Sequence, residues 1–290
     1  MSEIGKIEVF SPSRNILGES PRWHPIEKCL YWTDIDTKLI YRQIHGEENP
    51  ESFPMDVQVG CIGFRRSGGL ILATSGGFQA WQENENPLIA LGDPEAGKSG
   101  ARFNDGLVDA FGRFWAGSMT ENNVSSCLYR LDPDHSIHTM IKGVAISNGI
   151  GWNKENTRFY FTDTLKRTIW LYDFDLETGR ISNRRVFIKT NGPGVPDGLT
   201  IDKDGNVWSV QCGVGKLIVY KPDGEIVREI NFPTRCITAC TFGGPYLSDL
   251  YVTSSSALLN SAELPDQPLA GAVFKTTTHS QGISSWLYAG

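Results

Sequence analysis

A net charge of −6 over 290 residues, with 27 Lys and Arg that nowhere cluster, excludes a nucleic-acid partner, because phosphate binding draws its affinity from grouped cations. No run approaches the roughly 18 apolar residues of a membrane span, and "MSEIGKIEVF" lacks the basic start and apolar stretch of a signal peptide, so the chain reads as cytoplasmic with no membrane partner. Aromatics at 11%, with 31 Gly and 15 Pro spread throughout, indicate many short strands joined by tight turns, and no Pro-rich, Ser-rich or charged linker divides residues 1–290, which read as a single domain.

In chain order, "KIEVF" is an N-terminal strand, and after it one phrase keeps returning: an apolar-aromatic pair followed by small or hydroxyl residues. It appears as "LYWTD", "LILAT" (without the aromatic), "FWAGS", "FYFTD", "VWSVQ" and "LYVTS", whose second residues are Tyr31, Ile71, Trp115, Tyr160, Trp208 and Tyr251. The intervals are 40, 44, 45, 48 and 43 residues. Most copies are followed by another alternating strand, such as "KLIYRQ" or "TIWLYDF", which predicts four-stranded blades of an all-β, six-bladed propeller. A solenoid would need terminal caps, and none is apparent. "GAVFKT" and "SSWLY" are expected to finish the sixth blade, with "KIEVF" pairing into it so that the ring closes without exposed edges.

Each phrase is preceded by a shorter strand and a turn, as in "GLVDAFGRFW" and "GLTIDKDGNVW". Asp202 and Asp204 fall in such a turn, so "DKDG" reads as a hairpin and not as a calcium loop, whose twelfth position would be acidic but is Gly213. Substitution to Asn at either position is expected to be nearly silent. The starts of the innermost strands, 11 to 13 residues before the second residue of each phrase, are Glu19, Val59, Asn104, Asn148, Asp197 and Thr238. In a propeller these gather at one mouth of the central channel. Either they are turn residues that begin strands, or two carboxylates and two amides converge there; buried carboxylates repel one another, and a divalent cation among these hard oxygen donors removes both the repulsion and the desolvation cost. Arg102 is placed to reach the same mouth, and the loops after the second strands bring Asp34, Glu121 and Asp163 near it, with Asp34 and Asp163 read as turn residues. The five histidines show no ligand spacing, and Cys29, Cys61, Cys127, Cys212, Cys236 and Cys240 form no CxxC pair and read as reduced thiols.

"LGESPRW", "RFNDGLVDAFGRFWAGSM", "ISNGIGW", "YFTDTLKRTIWLYDFD" and "PDGLTIDKDGNVW", in that order, resemble the gluconolactonase, senescence marker protein and luciferin-regenerating enzyme family. The resemblance covers most of the chain, from about residue 16 to the strand after "FGGP". It implies a six-bladed propeller with one divalent metal (Ca²⁺, Zn²⁺, Mn²⁺, Mg²⁺ or Fe²⁺) held by Glu19 of "GESP", Asn148 of "SNG" and Asp197 of "PDG". It further implies that Arg102, Asn104 and Glu121 contact substrate. The loop after "GSM" is short here, a departure from relatives that carry a long lid.

The activity so implied is hydrolysis of a sugar-acid lactone to the aldonic acid, with Asp197 as general base. Three alternatives stand beside it. A calcium-binding protein without catalysis would use the same donors, "YWTD" at residues 31 to 34 marks receptor-type interaction propellers, and a paraoxonase-like lactonase would act on non-sugar esters on a similar propeller.

Overall fold

The computed structural model describes residues 4–83, 88–120 and 126–290. Among these residues the strands form six sheets, each with four antiparallel strands and one extended by a short parallel strand, arranged as the blades of a β-propeller, and each recurring phrase is the second strand of a blade. Blade 1 runs Gly18–His24, Cys29–Asp34, Leu39–Ile44 and Glu51–Pro54 from the axis outwards, and blade 2 runs Val59–Arg65, Leu70–Thr74, Gly77–Trp81 and Ile89–Gly92. Blade 3 has Arg102–Val108 innermost, blade 4 Ser147–Trp152 and blade 5 Val195–Ile201. Blade 6 takes Ile237–Gly243, Asp249–Ser254 and Val273–Thr277 from the C-terminal part of the chain. Its outermost strand is Glu8–Ser11, which pairs antiparallel with Val273–Thr277 and closes the ring as expected.

The expectation for "SSWLY" does not hold. Leu287–Tyr288 pairs parallel with Phe64 and Arg65 of the blade 2 inner strand, not with blade 6. The physical reason is that the N-terminal strand already occupies the outer edge of blade 6, so the remaining chain has no free edge there. It runs instead across the channel end opposite the inner-strand starts, where Ile283 to Trp286 line a recess with Arg22, Trp152 and Thr241. Ser285 donates to the Trp23 carbonyl at 3.0 Å, and the buried Tyr288 hydroxyl to the Asp132 carbonyl at 2.9 Å.

Neighbouring blades pack through the apolar faces of their strands. Between blades 3 and 4, Trp115, Trp152, Phe159 and Phe174 form one buried cluster, the two indoles meeting edge-on at 5.7 Å between centroids. The inner hairpin turns are tied by equivalent aspartates. Asp109 accepts from the Trp115 indole at 2.8 Å and Asp202 from the Trp208 indole at 3.0 Å, each also collecting backbone N–H groups of its own turn. No helix among the described residues is long and apolar enough to cross a membrane.

All six inner strands share one irregularity. The pairing register slips at Glu19/Arg22, Val59/Cys61, Phe103/Gly106, Asn148/Ile150, Pro196/Leu199 and Ile237/Cys240. A bulge re-aims the side chain at which it occurs, and here it falls at the start of every inner strand, next to the channel.

Candidate functional site

Glu19 of blade 1, Arg102 and Asn104 of blade 3, Asn148 of blade 4 and Asp197 of blade 5 line a single cavity of about 360 Å³. Leu17, Met119, Ile146, Val195 and Leu258 supply apolar wall. The glycines that follow two of the polar residues permit the crowding. A Cβ on Gly149 would stand 2.7 Å from the Asp197 carbonyl oxygen, and one on Gly198 would stand 2.6 Å from the Ala239 Cα, so the "NG" and "DG" pairs let adjacent inner strands approach. Ser20, directly after Glu19, holds a left-handed backbone at φ 49°, unusual for a residue with a side chain. Its hydroxyl accepts the Ile62 N–H at 3.1 Å, pinning the bulge to blade 2.

Arg102 donates to Asn104 Oδ1 at 2.7 Å. Asn104 Nδ2 in turn donates to the Ser147 carbonyl at 2.8 Å and to Asn148 Oδ1 at 3.2 Å. Asn148 Nδ2 donates to Thr164 Oγ1 at 2.9 Å, and the Thr164 hydroxyl donates to the Pro196 carbonyl at 2.8 Å. A carbonyl only accepts, so this chain of bonds sets every direction in it and turns the Asn148 oxygen away from Thr164.

Glu19 and Asp197 are both buried and interact electrostatically. Burial pushes the Glu19 carboxyl well above the usual carboxylate range, and the charges of Asp197 and Asp105 push it further. Burial does the same to Asp197, with Asp105 and Cys236 adding to it. Asp197 Oδ1 is buried without a hydrogen-bond partner among the described residues.

Two of the six inner-strand starts contribute nothing polar to the cavity. Val59 belongs to an apolar cluster, and the Thr238 hydroxyl donates to the Gly18 carbonyl at 2.5 Å. Asp34 accepts from the Ile16 and Leu17 N–H groups at 2.9 and 3.0 Å, and Asp163 from Ala145 and Ile146 at 3.2 and 3.4 Å. Both therefore hold the chain that enters an inner strand, in keeping with the turn reading. Glu121 lies outside the described residues. No three His, Cys, Asp or Glu side chains group as a metal site among those residues, since the predicted set draws one of its three oxygen donors from an amide.

Residues 17–256 match the family described as SMP-30/Gluconolactonase/LRE-like region. The chain belongs to this SMP-30/gluconolactonase family. It is 34% identical over 297 residues to regucalcin of Danio rerio and 35% identical over 295 residues to 6-deoxy-6-sulfogluconolactonase of Pseudomonas putida, with 100% of both chains covered in each case. The structure of a calcium-binding protein, regucalcin, from Agrobacterium tumefaciens superposes with a TM-score of 0.94 at 22% identity, covering 99% of this chain and 98% of that one, and so shares its fold.

Around the cavity of this SMP-30/gluconolactonase family member stand residues that sequence reasoning passed over. Asp105, one position beyond Asn104, forms a buried ion pair with Arg22 at 3.2 Å, and Arg22 also donates to the Gly106 carbonyl at 2.5 Å. The "NDG" spelling offered the signal, since a bulge brings two consecutive side chains to the axis. Thr164 follows Asp163 and was hidden by it. Cys212 and Cys236 both line the cavity, and nothing in their spacing indicates that they meet.

Proposed function

We propose that this protein hydrolyses a sugar-acid lactone in the cavity, using a divalent cation held by Glu19, Asn148 and Asp197. The supporting observation is Asp197 Oδ1, a buried carboxylate oxygen without a hydrogen-bond partner among the described residues, beside a second buried carboxyl. Two such groups are tolerated in the cation-free chain by retaining protons, and a hard cation satisfies them better than a proton can. The residues fit such an ion: two carboxylates and an amide oxygen whose direction is set by Thr164.

When bound there, a divalent cation supplies Lewis-acid polarisation of the ester carbonyl and charge stabilisation worth several kcal/mol. The protein supplies the rest. Arg102, steadied by Asn104 at 2.7 Å, presents guanidinium donors to the hydroxyls or ring oxygen of the lactone. Asp197 takes the proton of the attacking water, a contribution of about 10² to 10⁴ in rate. The product is the open aldonic acid. Glu121 is proposed to contact substrate on the strength of its place after "GSM" in the sequence.

The relatives named for a sugar lactonase and for calcium binding support both halves of this reading. Release of acid from a panel of aldonolactones, measured with and without a chelator, tests it. Cation-dependent acid release is expected. Cation binding without turnover would replace the lactonase reading with that of a calcium-binding protein.

A further inference from the structure

Cys212 ends the second strand of blade 5, and Cys236 precedes the inner strand of blade 6. Their backbones are tied together, the Gly213 and Gly215 N–H groups donating to the Arg235 carbonyl at 3.0 and 2.7 Å. The two cysteines pack in one small cluster with Leu259 and Ala270, where the Cys236 thiol donates to the Leu258 carbonyl at 3.7 Å. Both are buried, yet both line the cavity, so a small reagent entering the mouth meets them together. Cys29, Cys61, Cys127 and Cys240 do not line it. Asp197 lines the same cavity. The lactonase chemistry leaves these sulfurs without a role.

We propose that Cys212 and Cys236 are a peroxide-oxidisable dithiol in the cavity wall, closing to a disulfide that staples blade 5 to blade 6 beside Asp197. In the first step one sulfur attacks hydrogen peroxide, the O–O bond breaks, and the thiol becomes a sulfenic acid with release of one water. The second sulfur then attacks the first, the S–O bond breaks, an S–S bond forms and a second water leaves. Two thiols and one peroxide thus give one disulfide and two waters, the peroxide oxygens being reduced as the sulfurs are oxidised. A thiol reductant reverses the link by exchange. The pair is better placed for this than a scattered cysteine, because the resolving thiol belongs to the same buried cluster and faces the same cavity. Closure also ties blade 5 to blade 6 in the cavity wall that Asp197 shares, so it is expected to slow lactone opening several-fold; that consequence rests on the function proposed above.

The test is a non-reducing peptide map of the folded full-length chain after exposure to hydrogen peroxide, followed by dithiothreitol. The expected result is one cross-linked peptide joining Cys212 to Cys236, lighter by two hydrogens than its parts, reversed by the reductant and absent from both Cys212→Ser and Cys236→Ser. Sulfinic or sulfonic acid at either position without the cross-link would overturn the proposal, as would a link to a different cysteine. Because the wild-type map decides the matter, a variant that fails to fold does not obscure it. Turnover measured on the same samples separates the two readings: a reversible link in a protein that opens no lactone in either state supports the dithiol and removes the lactonase.

Discussion

Asn148 and Thr164 are joined by a hydrogen bond of 2.9 Å in which the amide nitrogen is the donor. Thr164 has no choice in the matter, because its own proton goes to the Pro196 carbonyl at 2.8 Å. The hydroxyl therefore acts as an amide-orienting group, turning the Asn148 oxygen, which also accepts from Asn104 Nδ2 at 3.2 Å, away from Thr164 and toward the proposed cation position. Thr164→Val should weaken divalent-ion affinity about 10- to 100-fold, the usual cost of losing a partner that orients a ligand, while Thr164→Ser restores it. Calorimetric titration of the ion measures this. Equal affinity in the Val and Ser variants would show that the amide is held by something else.

Exchange of Asp197 for Asn should abolish lactone hydrolysis while leaving the fold intact, since a neutral amide of the same shape replaces a carboxyl whose charged form burial already disfavours. Glu19→Gln should weaken ion binding first and turnover in consequence. Circular dichroism beside an acid-release assay separates these from unfolding. A metal-stripped wild-type sample that opens lactones at its full rate would remove the cation from the mechanism.

The raised carboxyls of Glu19 and Asp197 have a measurable sign. Above the ordinary carboxylate pKa of about 4, the unfolded chain has released these protons while the folded chain still holds them. The folded state then binds more protons than the unfolded one, so stability in chelator should fall as pH rises through that window, by at most about 1.4 kcal/mol per pH unit for each proton. Ion binding displaces the same protons, so affinity should rise with pH. Urea melts from mildly acidic to neutral pH, with and without the ion, test both. A chelated sample whose stability climbs over that range would contradict the assignment.

Asp202 and Asp204 should part company. Asp202 is fully buried and accepts four hydrogen bonds, from the Asp204 and Asn206 N–H groups, Asn206 Nδ2 and the Trp208 indole, at 2.8 to 3.0 Å. Asp202→Ala should cost about 3 kcal/mol of stability, chiefly by leaving the Trp208 N–H unpaired. Asp202→Asn should also be destabilising, against the expectation from the sequence that it is silent, because an amide cannot accept at both ends. Asp204 is exposed, and its change to Asn should stay within about 0.5 kcal/mol. Thermal melts decide between these, and turnover per folded molecule should be unchanged at both positions.

The ring of blades and the gathering of Glu19, Asn104, Asn148 and Asp197 were legible in the sequence because both are periodic. A repeat of forty-odd residues places equivalent positions at equivalent depths, and a bulge at the start of every inner strand keeps them in register. The turn role of Asp34 and Asp163 was legible for the same reason. What broke the period could not be read. The C-terminal "SSWLY" left blade 6 because that edge was already filled, the Arg22–Asp105 pair joins blades 1 and 3 across the axis, and Cys212 and Cys236 enter one cluster only where blade 5 abuts blade 6. Local order along a chain determines which strands form and which residues open them. Contacts between residues far apart in sequence depend on how the blades close on one another, and closure is a property of the whole ring.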